Sequence, residues 1–284
     1  MSHAAAARRD GKLTVALISE VYFQPDGAAR LEERLAEAAA RGADIALLPE
    51  LPLNSWCPAT RDAVDGDAET EGGPRTEIMG GAANRAGIGL VGGIIHRDPD
   101  SGRRTSRALV FSPAGGIAAR YEKLHLPEEP GFWETSHYEP GDEPPRPIGA
   151  FGLPFGIQVC SDTNRPEGTH LLGAAGALAV LIPRASEERT YQRWKTVFRA
   201  NAVTSCLYVL SVSRPYPEAG ALIGGPSVAV DPGGEVLLET TDTIGLVTLD
   251  STVVHRARAA YPGELPVRAR LYADACREVA GRDG

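Results

Sequence analysis

The sequence is short of the features that would take it out of ordinary globular chemistry. Its four cysteines (Cys57, Cys160, Cys206 and Cys276) are widely scattered and contain no C-x-x-C pair. A disulfide framework or a zinc knuckle is therefore excluded as the organising principle. There is no basic stripe, and the net charge is −8. Nucleic acid is excluded as a partner on that ground, because phosphate recognition needs clustered Lys and Arg. No stretch approaches the ~20 consecutive apolar residues of a membrane span. The start, residues 1–11, carries two arginines but no apolar core of the signal-peptide kind. It is expected to be a disordered leader, with the cytoplasm as the default compartment.

What is present is a chain of 284 residues, 43% hydrophobic and 23% charged, long enough for one large core. The opening reads β-α-β. Leu13 to Ser19 is a buried strand, Ala28 to Arg41 an amphipathic helix with Leu31 and Leu35 on one face, and Asp44 to Leu48 a second buried strand. A helix over Thr76 to Ala86 and strands over Gly89–Ile95, Arg107–Phe111 and Gly116–Tyr121 follow. From Pro127 to Pro154 the chain is rich in Pro, Gly and Glu without periodicity, a loop long enough to be functional. Beyond it the plan repeats. Strands are expected at Gly156–Cys160, Ala177–Ile182 and Cys206–Ser213, with helices at Pro166–Ala175 and Glu187–Thr204. A hairpin at Asp231-Pro232-Gly233-Gly234 and a strand at Gly245–Leu249 complete it. Two α-β halves without a compositional break imply one α/β domain over residues 12–284, ending in a tail after Tyr261 that packs on a partner subunit.

Three residues stand where such a fold exposes chemistry. Cys160 ends a buried strand just before a Pro166-Glu167 helix start, a setting that is partly exposed and favours the thiolate. Glu50 follows the apolar run Ile45 to Pro49, where a carboxylate entering a cleft has a raised pKa suited to a general base. Lys123 follows a strand, and its ammonium is a compact charge able to stabilise an oxyanion. Taken singly, each has a bland reading: a core cysteine, a solvated loop glutamate, a surface lysine.

Together they do not read as bland. The chain contains Leu48-Pro49-Glu50, then Tyr121-Glu122-Lys123-Leu124-His125-Leu126, then Gly131-Phe132-Trp133-Glu134 leading to Pro140-Gly141-Asp142, then Gly156 to Glu167 around Cys160. These segments, in this order and over nearly the whole chain, resemble the nitrilase-like carbon–nitrogen hydrolase superfamily. The stretch around Glu134 is similar to the N-carbamoylputrescine and N-carbamoyl amino acid amidohydrolase branches. It singles out Glu134 from neighbouring Glu128, Glu129 and Glu139.

The resemblance implies a four-layer α-β-β-α sandwich with two mixed sheets face to face, paired at least into a homodimer. It implies Cys160 as nucleophile, Glu50 as general base, Lys123 as oxyanion stabiliser and Glu134 as a second carboxylate, acting on a small-molecule amide or carbamoyl group. No cofactor and no metal are expected. Trp56, Ser161, Arg165 and Arg184 are candidate substrate contacts, the two arginines as clasps for a substrate carboxylate. The chain departs from the family pattern at Ser161 and Arg165, where aromatic residues are usual, and around Asn201, where a Glu-Asn pair is missing.

Other readings remain open on the residues alone. Asp250 and His255 follow Cys160 in the chain order of an α/β-hydrolase triad, but the G-x-C-x-G elbow is absent. The same Glu-Lys-Cys set could serve a nitrile substrate or an amine-accepting acyltransferase, or survive in a non-catalytic binding protein.

Overall fold

The computed structural model describes residues 11–261 and 268–280. The leader expected at the N-terminus lies outside the described residues except for Gly11, whose carbonyl accepts from Ser251 N–H at 2.8 Å.

Fourteen strands and six α-helices alternate among the described residues. The first half runs β1 (Lys12–Ile18), α1 (Gly27–Ala40), β2 (Ile45–Leu47), β3 (Ala68–Glu69), α2 (Pro74–Ala86), β4 (Gly89–Arg97), β5 (Arg104–Phe111) and β6 (Ile117–Glu122). The long central segment holds β7 (Glu128–Glu129) and β8 (Phe132–Trp133). The second half runs β9 (Phe155–Ile157), α3 (Pro166–Ala174), β10 (Ala179–Arg184), α4 (Tyr191–Ser205), β11 (Tyr208–Ser213), β12 (Ser227–Val230), β13 (Val236–Thr240), β14 (Ile244–Asp250), α5 (Ser251–Ala260) and α6 (Ala269–Ala280).

Two mixed sheets result. One has the order β14-β1-β2-β4-β5-β6, with β3 added beside β4; the other has the order β13-β12-β11-β10-β9. Strands β1, β2 and β4 are mutually parallel, as are β9, β10 and β11. Short β3 joins β4 parallel, and the remaining strands of the two sheets add on in antiparallel pairs.

The alternation along β1 shows why the sheets face each other. Leu13, Val15 and Leu17 join Phe155, Ile157, Leu181 and Leu210 of the second sheet in one buried cluster. Ala16 and Ile18 point the other way, toward Leu31 and Leu35 of α1 and Met79 of α2. On the far side Val180, Ile182 and Val209 pack against Leu172 of α3 and Phe198 of α4. Successive strand residues face opposite sides, so each sheet buries one face on the other sheet and one on helices. That is the four-layer α-β-β-α sandwich expected from the sequence.

Helix ends obey local rules. Pro74 opens α2, and Gly87 at φ +68° closes it in the left-handed conformation. Gly156 permits a close approach of a different kind: a Cβ there would lie 2.3 Å from Leu172 Cδ2. Its absence lets α3 sit directly on β9 and fixes the turn between them, which carries Cys160.

Several elements differ from the sequence reading. Strand β9 stops at Ile157, and Cys160 instead opens a 3-10 turn over Cys160–Asn164. The central segment is no bare loop, because β7 and β8 form a small hairpin across Pro130-Gly131. The tail after Tyr261 contains the helix α6, every residue of which is exposed. No helix among the described residues is long and apolar enough to cross a membrane.

Candidate active site

The functional candidates gather where the parallel strands end, the usual place for a site in an α/β architecture. Glu50 follows β2, Lys123 follows β6, and Cys160 opens the turn after β9. Glu134 arrives from the β7–β8 hairpin, whose Gly131 adopts φ +86°. The next residues, Glu134–Ser136, form a 3-10 turn held by Glu134 N–H donating to the Pro127 carbonyl at 3.1 Å.

The structure brings these four side chains together in a buried cluster. Lys123 Nζ donates to Glu50 Oε1 at 2.8 Å and to Glu134 Oε1 at 2.7 Å. Lys123 and Glu134 have no solvent exposure, and Glu50 has 2%. Glu50 Oε2 is buried and accepts no hydrogen bond among the described residues. Neighbouring Glu128, Glu129 and Glu139 are exposed, so Glu134 is the glutamate of this loop that reaches the lysine.

Burial dominates the electrostatics. Alone it would lower the Lys123 pKa, but Glu134 and Glu50 outweigh it and hold the ammonium firmly charged. Glu134 is pushed up to about 8, first by burial and then by the charge of Glu50, with Lys123 opposing both. The Cys160 thiol is raised well above the ordinary cysteine range by burial and then by Glu50.

This corrects the expectation of a partly exposed thiolate. Cys160 is only 3% exposed, and desolvation disfavours its anion more than the nearby helix start favours it. The thiol donates to the Ala185 carbonyl at 3.0 Å. Its backbone has φ +47°, left-handed for a residue with a Cβ, a strain of the kind that clusters at active sites.

One residue that sequence reasoning left without a role ties this set together. Asp162, buried in the same turn, accepts from Val159 N–H, Tyr121 Oη, Leu124 N–H and His125 N–H at 2.8–3.1 Å, and pairs with His125 Nδ1 at 2.9 Å. The turn bearing the thiol is thus bolted to the segment following Lys123. Asn201 on α4 donates to the Thr163 carbonyl at 2.9 Å and braces the turn from behind. From β11, Arg214 grips the Glu50 loop, and neither its position nor its neighbours in sequence marked it as special.

Cys160 and Ser161 open onto a cavity of about 340 Å³, also lined by Phe132, Glu187, Arg193 and Trp194. Arg184 does not line it. That side chain is buried and donates to Ser211 Oγ, Ser186 Oγ and the Pro226 carbonyl, and burial draws its pKa down to about 10. Arg165 is exposed and lies outside the lining. Trp56 packs against Phe132 at 5.7 Å in the wall behind, its indole N–H donating to the Gly131 carbonyl. Asp250 and His255 do not approach the thiol as a triad would require: Asp250 caps α5, and His255 is exposed on that helix.

Comparison with known proteins gives the family. The carbon-nitrogen hydrolase family model matches residues 17–259. The chain belongs to the carbon–nitrogen hydrolase family. Among curated relatives, omega-amidase NIT2-B of Xenopus laevis is 29% identical over 248 residues, covering 83% of this chain and 87% of that one. Among solved structures, a carbon–nitrogen hydrolase from Helicobacter pylori superposes with TM-score 0.80 at 22% identity, over 93% of this chain and 98% of that one. Nit3 of Saccharomyces cerevisiae, a nitrilase-superfamily member, gives TM-score 0.76 at 25% identity, over 93% and 100%. The relatives named here do not bear on the carbamoylase branches suggested by the Glu134 segment.

Proposed function

We propose that this carbon–nitrogen hydrolase cleaves a small, non-peptide linear amide through a thioester on Cys160. The observation that carries the reading is the Cys160 thiol at the cavity floor, with Lys123 fixed between Glu50 and Glu134 behind it. The likeness to an omega-amidase supports an amide over a carbamoyl or nitrile group.

Because burial keeps the thiol protonated, attack must be coupled to proton removal. Glu50, through its unpartnered Oε2, takes the proton as the sulfur bonds to the amide carbon. The oxyanion that forms is met by the Lys123 ammonium and the main-chain N–H following Cys160. The C–N bond breaks as Glu50 returns the proton to the leaving nitrogen. Water then adds to the thioester with Glu50 again as base, releasing the carboxylic acid and restoring the thiol. Glu134 holds the ammonium in place, and a lysine gripped from two sides pays no reorganisation when the oxyanion appears.

Intact-mass spectrometry during turnover tests this. Protein mixed with a panel of ω-amides, carbamoyl-amines and nitriles should show an acyl adduct on Cys160 with the amides, absent from Cys160→Ala. Release of ammonia without any adduct, or an adduct on another residue, would sink the thioester route.

A further inference from the structure

Behind the turn that carries Glu134 lies a second group of chemically capable side chains that the hydrolytic mechanism does not use. Cys57 Sγ, a carboxylate oxygen of Asp67 and a ring nitrogen of His137 all lie within 4.8 Å of one another. They come from three separate turns: Cys57–Ala59, Asp65–Asp67, and the residue immediately after Glu134–Ser136.

The histidine is already arranged as a ligand. Its Nε2 lies 2.8 Å from the Thr60 carbonyl. A carbonyl can only accept, so Nε2 carries the proton and Nδ1 keeps its lone pair. His137 is 2% exposed, and Nδ1 has no hydrogen-bond partner among the described residues. A buried nitrogen with a free lone pair needs a donor or a cation. Metal-bound histidines commonly have this arrangement, the far N–H donating to a carbonyl that fixes the tautomer.

We propose that Cys57, Asp67 and His137 form a binding site for a divalent transition-metal ion, Zn²⁺ by the chemistry of its donors. Thiolate, imidazole and carboxylate are the three ligand types zinc takes, and water completes a tetrahedron on the half-exposed side. At zinc bond lengths two ligands of a tetrahedral site stand roughly 3.5 Å apart, so the three atoms close in by about an ångström when the ion binds. Zinc binds cysteine as the thiolate, so the ion displaces the Cys57 proton: M²⁺ plus thiol gives metal thiolate plus H⁺. The role is a clamp. The ion joins the Trp56 turn and the Asp67 turn to the turn presenting Glu134, whose carbonyl accepts from His137 N–H at 2.9 Å, without touching the reacting atoms.

Cobalt(II) serves as the probe, in Cys160→Ala protein so that the nucleophile adds no signal. Expected are one equivalent of bound Co²⁺ with the intense visible bands of a tetrahedral site and a thiolate charge-transfer band. Zn²⁺ should displace it, and Zn²⁺ added to the metal-free protein should release one proton and raise Tm by about 5 °C. Cys57→Ser should lose the charge-transfer band. Asp67→Asn, a nearly isosteric change at a half-buried position, should weaken binding at least tenfold. The site is overturned if the folded protein gives only octahedral Co²⁺ spectra, or if the tetrahedral spectrum survives unchanged in both variants.

Discussion

The Arg214 guanidinium, at the end of a strand in one sheet, donates at 2.8 Å to the main-chain carbonyl of Glu50, at the end of a strand in the other. The same side chain donates to the carbonyls of Leu51 and Asn54 and forms a two-pronged pair with Glu218. Glu218 in turn accepts from Trp56 N–H at 3.0 Å. Glu50, the proposed general base, is therefore located by a buried ion pair that belongs to the opposite half of the sandwich.

Removing that guanidinium leaves Glu218 buried without its partner. Arg214→Met should cost about 3–5 kcal/mol, the usual loss when one member of a buried pair is deleted. The double variant Arg214→Met/Glu218→Gln should recover part of this, because no charge is stranded. Urea denaturation of the four proteins of the cycle measures the difference. Equal stability of the single and double variants would show that the loss comes from packing.

Glu134 gives a pH dependence of defined sign. Its pKa is raised in the fold from 4.5 to about 8. Between those values the folded state binds a proton that the unfolded chain has released, so this group's contribution to stability falls as pH rises. It is fully present below the ordinary glutamate pKa and lost on passing about 8. Thermal melts from acid to alkaline pH should show that decline, and Glu134→Gln, which cannot ionise, should flatten it. A parallel decline in wild type and variant would assign the titration elsewhere.

The layers of the fold were legible because its strands are short apolar runs and its helices carry amphipathic faces. Strand β1 and helix α1 could be placed within a residue or two for that reason. Glu50, Lys123 and Cys160 were legible as residues standing just after such runs, and Glu134 only through its motif. What escaped is the set of residues acting across the sheets. Asp162 was visible as part of a motif, but the partners of its carboxylate besides Val159 lie some forty residues away, at Tyr121, Leu124 and His125. Arg214 sits between a serine and a proline after a buried strand, where an arginine more often reaches solvent. The protonated state of Cys160 escaped because local context points to a helix start, whereas burial depends on the whole fold.

The left-handed backbone at Cys160 predicts an inverted preference among inactive variants. A residue with a Cβ at φ +47° is strained, and glycine is not. Cys160→Gly should therefore be more stable than Cys160→Ala by about 1 kcal/mol, although glycine ordinarily loses to alanine through chain entropy. Both should lack turnover. Alanine proving the more stable in chemical denaturation would mean that the turn relaxes once the sulfur is gone.

Substrate polarity can be tested at Arg193 rather than at Arg165 or Arg184. Arg165 is exposed away from the cavity, and Arg184 spends its donors on Ser211, Ser186 and Pro226. Arg193 lines the cavity beside Cys160, is exposed, and makes no ion pair among the described residues. Two carboxylates share the cavity wall. Glu187 is paired with Arg189 at 2.6 Å, whereas Glu129 is exposed. A substrate carboxylate would therefore be drawn to Arg193 and repelled by Glu129. On matched acidic and neutral amides, Arg193→Ala should lower kcat/KM for the acid about tenfold or more, as expected for loss of a charge-assisted hydrogen bond. The neutral amide should change little. Glu129→Gln should shift the preference the opposite way, and Arg165→Ala should leave it unchanged. If Arg193→Ala reduces both substrates equally, the guanidinium shapes the cavity and reads no charge.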